Sequence, residues 1–290
     1  MSSPRTLSSR PGGTHMTVTR LEITTRRRCA CAHAIVIASA LSLWSIPALA
    51  QSPPERLTDK QVKTLIDQVD EGRDKFEGNL DGKLKESTLR GPNGETKVDS
   101  ALQDYQDNTK KLQDRFTSEY AASAEVATVL KQSNAIGTFM QSSPSLMKGR
   151  TEWDRQTVNL KHLAEAYGTT FPIPDGATTR RTNDKETAGA AAAIADAADR
   201  FKDDIDNDKS LPKSEREIAK KDVEELIKLA DAVKDRTNDG KSATAELRQL
   251  VEQAATVQTF IGAHPMSTLS NWQAAQTSLV KLRQAFGLPM

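Results

Sequence analysis

The most restrictive feature of this sequence is an internal repeat. The segment from Val126 to Gly168 aligns with that from Leu247 to Gly287, at an offset of 121 residues before a shared proline and 119 after it. Trp153 falls on Trp272 in this alignment. Matches continue upstream at an offset of 125, where Asp-Lys-Phe at 74–76 faces Asp-Arg-Phe at 199–201. Because the matches keep their order, we interpret the chain as a tandem duplication of one unit.

Each copy is predicted to contain four helices. Thr58 to Gln61 has the pattern of a capping box that starts the first helix, and residues 189–201, its counterpart, are rich in the strong helix former alanine. Apolar residues recur with helical spacing in the segments that follow. The second and third helices of the two copies are expected at about 98–119 and 214–236, and at about 121–141 and 242–262.

The fourth helices carry the best matched local pattern. Each is expected to begin with a hydroxyl residue as its N-cap, Thr151 in the first copy and Ser270 in the second. Trp153 and Trp272 then lie in the first turn, with apolar residues seven, ten and fourteen positions further on. This spacing keeps them close to one helix face, so both tryptophans are predicted to anchor a core.

The predicted fold is all-α, with two tandem four-helix bundles of the up-and-down type. The first unit is assigned to residues 51–174 and the second to 188–290, joined by a polar linker at 175–187. Units of this length can hold cores of their own. No segment alternates apolar and polar residues over any length, so no β-sheet is expected.

The first 50 residues are interpreted as a cleaved signal peptide. Four arginines lie between Arg20 and Arg28, and an uncharged apolar run follows from Ala30 to Leu49. Ala48 and Ala50 place small residues at −3 and −1 of the expected cleavage site. Met16 is an alternative start that gives a shorter leader. The chain is therefore predicted to be exported, to the periplasm or the extracellular space.

Removal of this leader changes which chemistry the chain can perform. Both cysteines, Cys29 and Cys31, lie in the leader, so disulfides, thiolate catalysis and cysteine-ligated metals are excluded from the mature chain. The leader also carries six arginines and one glutamate. The 40 basic and 39 acidic residues fall to 34 and 38, a net charge of −4, and no nucleic-acid partner is expected.

One acidic segment resembles an EF-hand calcium loop. Asp204, Asp206 and Asp208 occupy its positions one, three and five, and Glu215 occupies position twelve, where a bidentate ligand is usual. Lys209 stands at position six, however, where the sharp turn requires glycine. The alternative interpretation is an acidic, solvated connection between two helices. No cofactor is expected unless this loop binds calcium.

A second candidate metal pattern is a histidine and a glutamate on one helix face. His162 and Glu165 are three residues apart, which lets both side chains reach the same ion. The pattern resembles the His-x-x-Glu signature of imelysin-like periplasmic proteins, which also pair two four-helix bundles. That resemblance would imply a metal-dependent function. The glycine that precedes the signature is missing, since position 160 is Leu, and the second copy has Lys281 and Gln284 instead.

The sequence favours a binding or scaffold protein over an enzyme. The repeat copies apolar core positions and helix caps, but it copies no constellation of polar side chains suited to catalysis. We therefore expect a non-enzymatic protein of the cell envelope whose partner is a protein or another envelope component. Calcium binding through Asp204, Asp206, Asp208 and Glu215 is the first alternative, and an imelysin-like metal-dependent function is the second.

Overall fold

A computed structural model describes residues 55–91, 94–142, 148–264 and 266–288. All of them belong to one compact unit, 51–290. The proposed signal peptide and its cleavage site lie outside the described residues. The described chain is mostly helical, which confirms the all-α class. None of its helices is both long enough and apolar enough to span a membrane.

Nine helices and two short strands make up the described chain. The helices are α1 (Asp59–Asn79), α2 (Gly82–Lys85), α3 (Val98–Arg115), α4 (Ser123–Ser142), α5 (Arg150–Ala166), α6 (Asp184–Asn207), α7 (Lys213–Asn238), α8 (Thr244–Ala263) and α9 (Ser270–Ala285). The strands are β1 (Thr88–Gly91) and β2 (Gly94–Lys97), which pair antiparallel. We call residues 55–174 the first half and residues 175–288 the second half.

Each half has its own hydrophobic core. In the first half α1 packs against α3 and α5, and α4 packs against the same two helices. In the second half α6 packs against α7 and α9, and α7 packs against α8. By position in the repeat, α1, α3, α4 and α5 correspond to α6, α7, α8 and α9.

The tryptophans occupy matching places in the two cores, as the sequence predicts. Trp153 is 5 % exposed and its ring centroid lies 5.1 Å from that of Phe76. Trp272 is 3 % exposed and its ring centroid lies 5.6 Å from that of Phe201. Phe76 and Phe201 are themselves equivalent at the offset of 125. The same aromatic pair therefore joins the first helix to the fourth in both halves.

The two cores differ in polarity. Several buried polar side chains of the first half have apolar residues at the equivalent positions of the second. These pairs are Arg73 and Ala198, Tyr105 and Leu226, Thr109 and Ala230, Ser133 and Ala254, and Gln156 and Ala275. Gln156 links the first-half helices, because its Nε2 donates to the carbonyl of Val69 and to the hydroxyl oxygen of Tyr105, both at 2.8 Å. The second core is held by apolar packing at these positions.

Matching caps begin and end corresponding helices. The predicted capping box at Thr58 is confirmed, and Asn183 forms a second one with Glu186 at the start of α6. Gly168 and Gly287 follow α5 and α9 at φ of 67° and 63°. This left-handed conformation favours glycine and satisfies the last carbonyls of a helix.

Three details differ from the sequence prediction. α5 and α9 have Gly149 and Leu269 as N-caps, so Thr151 and Ser270 lie inside the helices and cap neither. α6 begins at Asp184, within the segment 175–187 that the sequence assigns to a linker. The β1–β2 hairpin occupies the long connection between α1 and α3, where no strand is expected. Four-residue strands are too short to show an alternating pattern.

Candidate ligand cleft at the junction of the two halves

The N-termini of α1 and α6 meet, and each supplies a carboxylate to the other. The backbone N–H of Asp59 donates to Oδ2 of Asp184, and the backbone N–H of Asp184 donates to Oδ2 of Asp59, both at 2.8 Å. The first amides of a helix have no partner within the helix, and its N-terminus favours negative charge. Each aspartate therefore caps the helix of the opposite half.

Two arginines cross between the halves in the same reciprocal manner. Arg56 Nη1 lies 2.6 Å from Oδ1 of Asp184, and Arg181 Nη2 lies 2.8 Å from Oδ1 of Asp59. Each guanidinium also donates to a backbone carbonyl across the interface, from Arg56 to Thr182 at 2.8 Å and from Arg181 to Leu57 at 2.7 Å. We call Arg56, Asp59, Arg181 and Asp184, with these contacts, the junction.

The junction buries its charges. The side chains of Arg56 and Arg181 are 6 % and 3 % exposed, and those of the two aspartates are 15 % exposed. Burial, and after it the neighbouring Arg181, lower the pKa of Arg56 from its ordinary value. Removing one partner from a buried ion pair costs about 3–5 kcal/mol. The junction therefore requires all four groups together.

A short sequence repeat encodes the junction. Arg-Leu-Thr-Asp-Lys-Gln at 56–61 and Arg-Thr-Asn-Asp-Lys-Glu at 181–186 align at the offset of 125. The capping-box pattern accounts for the first segment alone, and the second falls within the predicted linker, 175–187. An alignment at the offset of 125, extended upstream to residue 56, reveals both segments.

A cleft of about 1200 Å³ lies beside the junction. Its walls come from the first turns of α1 and α6, the last turns of α5 and α9, and the residues that flank them. Arg56 and Arg181 line it, and the guanidinium of Arg56 lies 5.4 Å from the ring centroid of Phe286. Most other lining residues also form pairs of equivalent positions. The wall pairs with polar side chains are Glu55 and Arg180, Gln61 and Glu186, His162 and Lys281, and Glu165 and Gln284.

The two walls have equivalent positions but different charges. Glu55 of the first half corresponds to Arg180 of the second, and both side chains are exposed. His162 and Glu165 correspond to Lys281 and Gln284, so here the acid lies in the first half and the lysine in the second. At the pair Gln61 and Glu186 the acid lies in the second half instead. The backbone is therefore repeated across the cleft while its chemistry is not.

His162 and Glu165 are the sequence-predicted residues that the cleft brings together. Both are exposed on the last two turns of α5 and line the first-half wall. Among the described residues, no group of three His, Cys, Asp or Glu side chains is arranged to hold a metal ion. The pair can thus supply two ligands to an ion or two polar contacts to another ligand.

The calcium-loop residues lie elsewhere, at the far end of α6. Asp204 and Asp206 belong to its last turn, where residues two apart point in different directions. Asp204 accepts a hydrogen bond from Asn271 Nδ2 at 2.8 Å, and Asp206 pairs with Lys220 at 3.1 Å. Each carboxylate is therefore already bound to a side chain of another helix, Asp204 to one of α9 and Asp206 to one of α7.

The other two predicted ligands are also engaged separately. Asp208 accepts hydrogen bonds from N and Oγ of Ser210, at 2.9 and 2.6 Å, and from N and Oγ of Ser267, at 3.2 and 3.3 Å. These bonds lower the pKa of Asp208 to about 2. Glu215 lies in the first turn of α7, 3.0 Å from Nε2 of His264. The structure does not bring the four carboxylates together, and calcium binding there would require the last turn of α6 to unwind.

Comparisons of the chain with models of protein families, with curated proteins and with solved structures return no match.

Proposed function

We propose that the protein is an exported, non-enzymatic binding protein of the cell envelope that takes its ligand in the cleft between its halves. The observation that carries this proposal is the contrast between repeated walls and unlike side chains. A purely structural repeat has no need for opposite charges at Glu55 and Arg180. A site that orients a ligand does, because a few placed polar groups give such a site its specificity.

The surroundings of the cleft also suit binding. Two separate cores and the buried junction hold its walls, so the exposed side chains are carried on helix ends and on the residues that flank them. Reciprocal junction contacts, matched aromatic pairs and matched caps support the inference that the halves arose by duplication. If the polar wall residues diverged after the duplication, two initially identical surfaces would have become the two unlike walls of a single site.

The test is retention of envelope components by variants of the cleft. Immobilised protein, residues 51–290, would be incubated with a solubilised envelope fraction, and bound species would be identified by mass spectrometry. We expect Arg180→Glu combined with Lys281→Glu to lose the species that the wild type retains. The control is Lys97→Glu, which changes a basic residue on β2 that is 63 % exposed.

Two outcomes would contradict a binding role for the cleft. One is equal retention by the wild type, the cleft variant and the control. The other is retention by none of them, under conditions in which the far-ultraviolet circular dichroism shows that all three are folded.

A second candidate is the metal-dependent, imelysin-like function. It is favoured by the position of His162 and Glu165, which lie together on the wall of the cleft. Titration with Zn²⁺, followed by calorimetry, tests it. The metal hypothesis requires a heat of Zn²⁺ binding that disappears in His162→Ala. The heat should remain in His264→Ala, because His264 lies outside the cleft.

A further inference from the structure

The junction is self-complementary, because each half carries both members of the interaction. Arg56 precedes Asp59 by three residues, and Arg181 precedes Asp184 by three. In the chain, the arginine of each half binds the aspartate of the other. Every junction contact has a reciprocal counterpart of the same chemistry. This is the pattern of an isologous interface, in which one surface binds a copy of itself.

We propose that the junction is an interaction surface for a second copy of this chain. In the exchanged form, the first half of one molecule pairs with the first half of another, and their second halves pair likewise. Each half presents the groups that these contacts need. Its aspartate accepts a hydrogen bond from the first helical amide of the other half, and its arginine binds the aspartate and a backbone carbonyl of the other half. An exchanged dimer thus re-forms all the junction contacts of two closed molecules.

The connection between the halves determines which form prevails. Residues 167–183 join α5 to α6 and dock on the first half, where Thr179 Oγ1 donates to the carbonyl of Ser123 at 2.6 Å. A short tether gives the two halves an effective concentration of about 1 mM. One exposed ion pair, Lys185 with Glu119, also joins unlike halves. The closed molecule is favoured by proximity, and exchange should rise with protein concentration.

The wall charges add a dependence on salt. In the closed molecule, Glu165 of the first half shares the cleft with Lys281 of the second. In the exchanged dimer one cleft has two copies of Glu165 and the other has two copies of Lys281, so these like charges share a cleft. These side chains are exposed and are screened by salt, whereas the buried junction pairs are screened much less. Added salt should therefore favour exchange.

Charge reversal in one half tests the proposal directly. Arg56→Asp with Asp59→Arg places like charges across the closed junction, while first halves of two such chains still present opposite charges to each other. Second halves are unchanged and remain complementary. We expect this variant, as residues 51–290, to shift from monomer to dimer in size-exclusion chromatography with light scattering, with a dimer fraction at least about tenfold above the wild type.

The matched control reverses both halves. Adding Arg181→Asp and Asp184→Arg restores opposite charges within the chain, so this variant should return to a monomer. It shares with the first variant the cost of a basic residue at a helix N-terminus. Dimerisation of both variants, or of neither while both remain helical, overturns the proposal.

A measurement on the unaltered protein decides the matter if the variants do not fold. Wild-type chain would be unfolded in urea and refolded by dilution at low and at high protein concentration. The proposal requires a dimer fraction that grows with the concentration during refolding and with salt. A product that is monomeric at every concentration and salt overturns it.

Discussion

At the scale of single residues, Trp153 and Trp272 anchor the two cores. Replacing either by alanine should lower the free energy of unfolding by about 3–5 kcal/mol, because a large buried ring is lost. The two effects should nearly add, since the rings lie in separate clusters. Urea unfolding curves measure this. Val158→Ala, on the exposed side of α5, is the control and should change stability by no more than about 0.5 kcal/mol. Unshifted midpoints in both tryptophan variants would contradict the assignment.

Asp208 should give stability a specific dependence on pH. Its hydrogen bonds from Ser210 and Ser267 lower its folded pKa to about 2, below the ordinary value of about 3.9. A carboxylate whose pKa is lower in the folded state than in the unfolded state stabilises the folded protein. This stabilisation is complete above the pKa of the unfolded state and disappears as the pH falls through the pKa of the folded state. The difference in Tm between wild type and Asp208→Asn should therefore be constant above about pH 5 and shrink between about pH 4 and 2.

The matched control for this pH series is Asp154→Asn. That side chain is 66 % exposed on α5, so its replacement should leave Tm nearly unchanged at every pH. A difference between wild type and Asp208→Asn that stays the same down to pH 2 would show that the hydrogen bonds do not favour the ionised form.

At the scale of elements, the close approach of α1 to α5 depends on Gly72. A Cβ at this position would lie 2.0 Å from Oε1 of Gln156. The second half has Ala197 and Ala275 at the equivalent positions. Gly72→Ala should therefore destabilise the protein by about 1–3 kcal/mol, although alanine is the better helix former. In the background of Gln156→Ala, the same change should be neutral or stabilising.

A double-mutant cycle in urea measures this coupling. The control is Gly189→Ala in α6, where a Cβ meets nothing within 4 Å. It should stabilise the protein by about 0.5–1 kcal/mol. Equal effects of Gly72→Ala in the two backgrounds would show that α1 and α5 adjust their spacing without strain.

Calcium should have no effect on the end of α6. Asp204, Asp206 and Asp208 have partners there already, and a calcium loop would have to break the last helical turn. We expect Tm to be unchanged when millimolar calcium is added, or removed with a chelator. A calcium-dependent rise in Tm that is lost in Glu215→Gln would instead revive the EF-hand hypothesis.

The elements themselves were largely predictable from the sequence. Helical periodicity and the capping box at Thr58 are local signals, and the described helices follow them. The N-caps of α5 and α9 were not predictable from the sequence. Thr151 and Ser270 fit the pattern of a cap, but the helices begin at earlier residues, with Gly149 and Leu269 as their N-caps. The β1–β2 hairpin is not predictable in this way, because strands of four residues are too short to show a periodic pattern.

At the scale of the whole molecule, the junction should couple the unfolding of the halves. The proposed mature chain has one tryptophan in each half, so Trp272→Phe leaves a reporter of the first half and Trp153→Phe one of the second. In otherwise unaltered protein, the two fluorescence curves in urea should coincide. With Arg56→Ala and Arg181→Ala added, the midpoints should separate, because the buried links between the halves are lost. Coincident curves in that variant would mean that other contacts couple the halves.

The candidate site was harder to predict than the helices. His162 and Glu165 could be singled out from their spacing on one helix, and they do line the cleft. Their meeting with Arg180 and Lys281 depends on how two distant helix ends are placed, which no local pattern records. The repeat of Arg56 and Asp59 at Arg181 and Asp184 was visible in the sequence, but its reciprocal contacts arise only when the chain is folded.

The unlike side chains at equivalent positions of the two walls give the cleft a direction. A cleft built from two identical walls would accept a ligand equally well after a half-turn, so an elongated molecule could enter with either end first. Here the half-turn exchanges Glu55 for Arg180 and His162 for Lys281. If the cleft binds a ligand with unlike ends, as we propose, that ligand has one preferred polarity there, and whatever protrudes from the cleft does so on a fixed side of the protein.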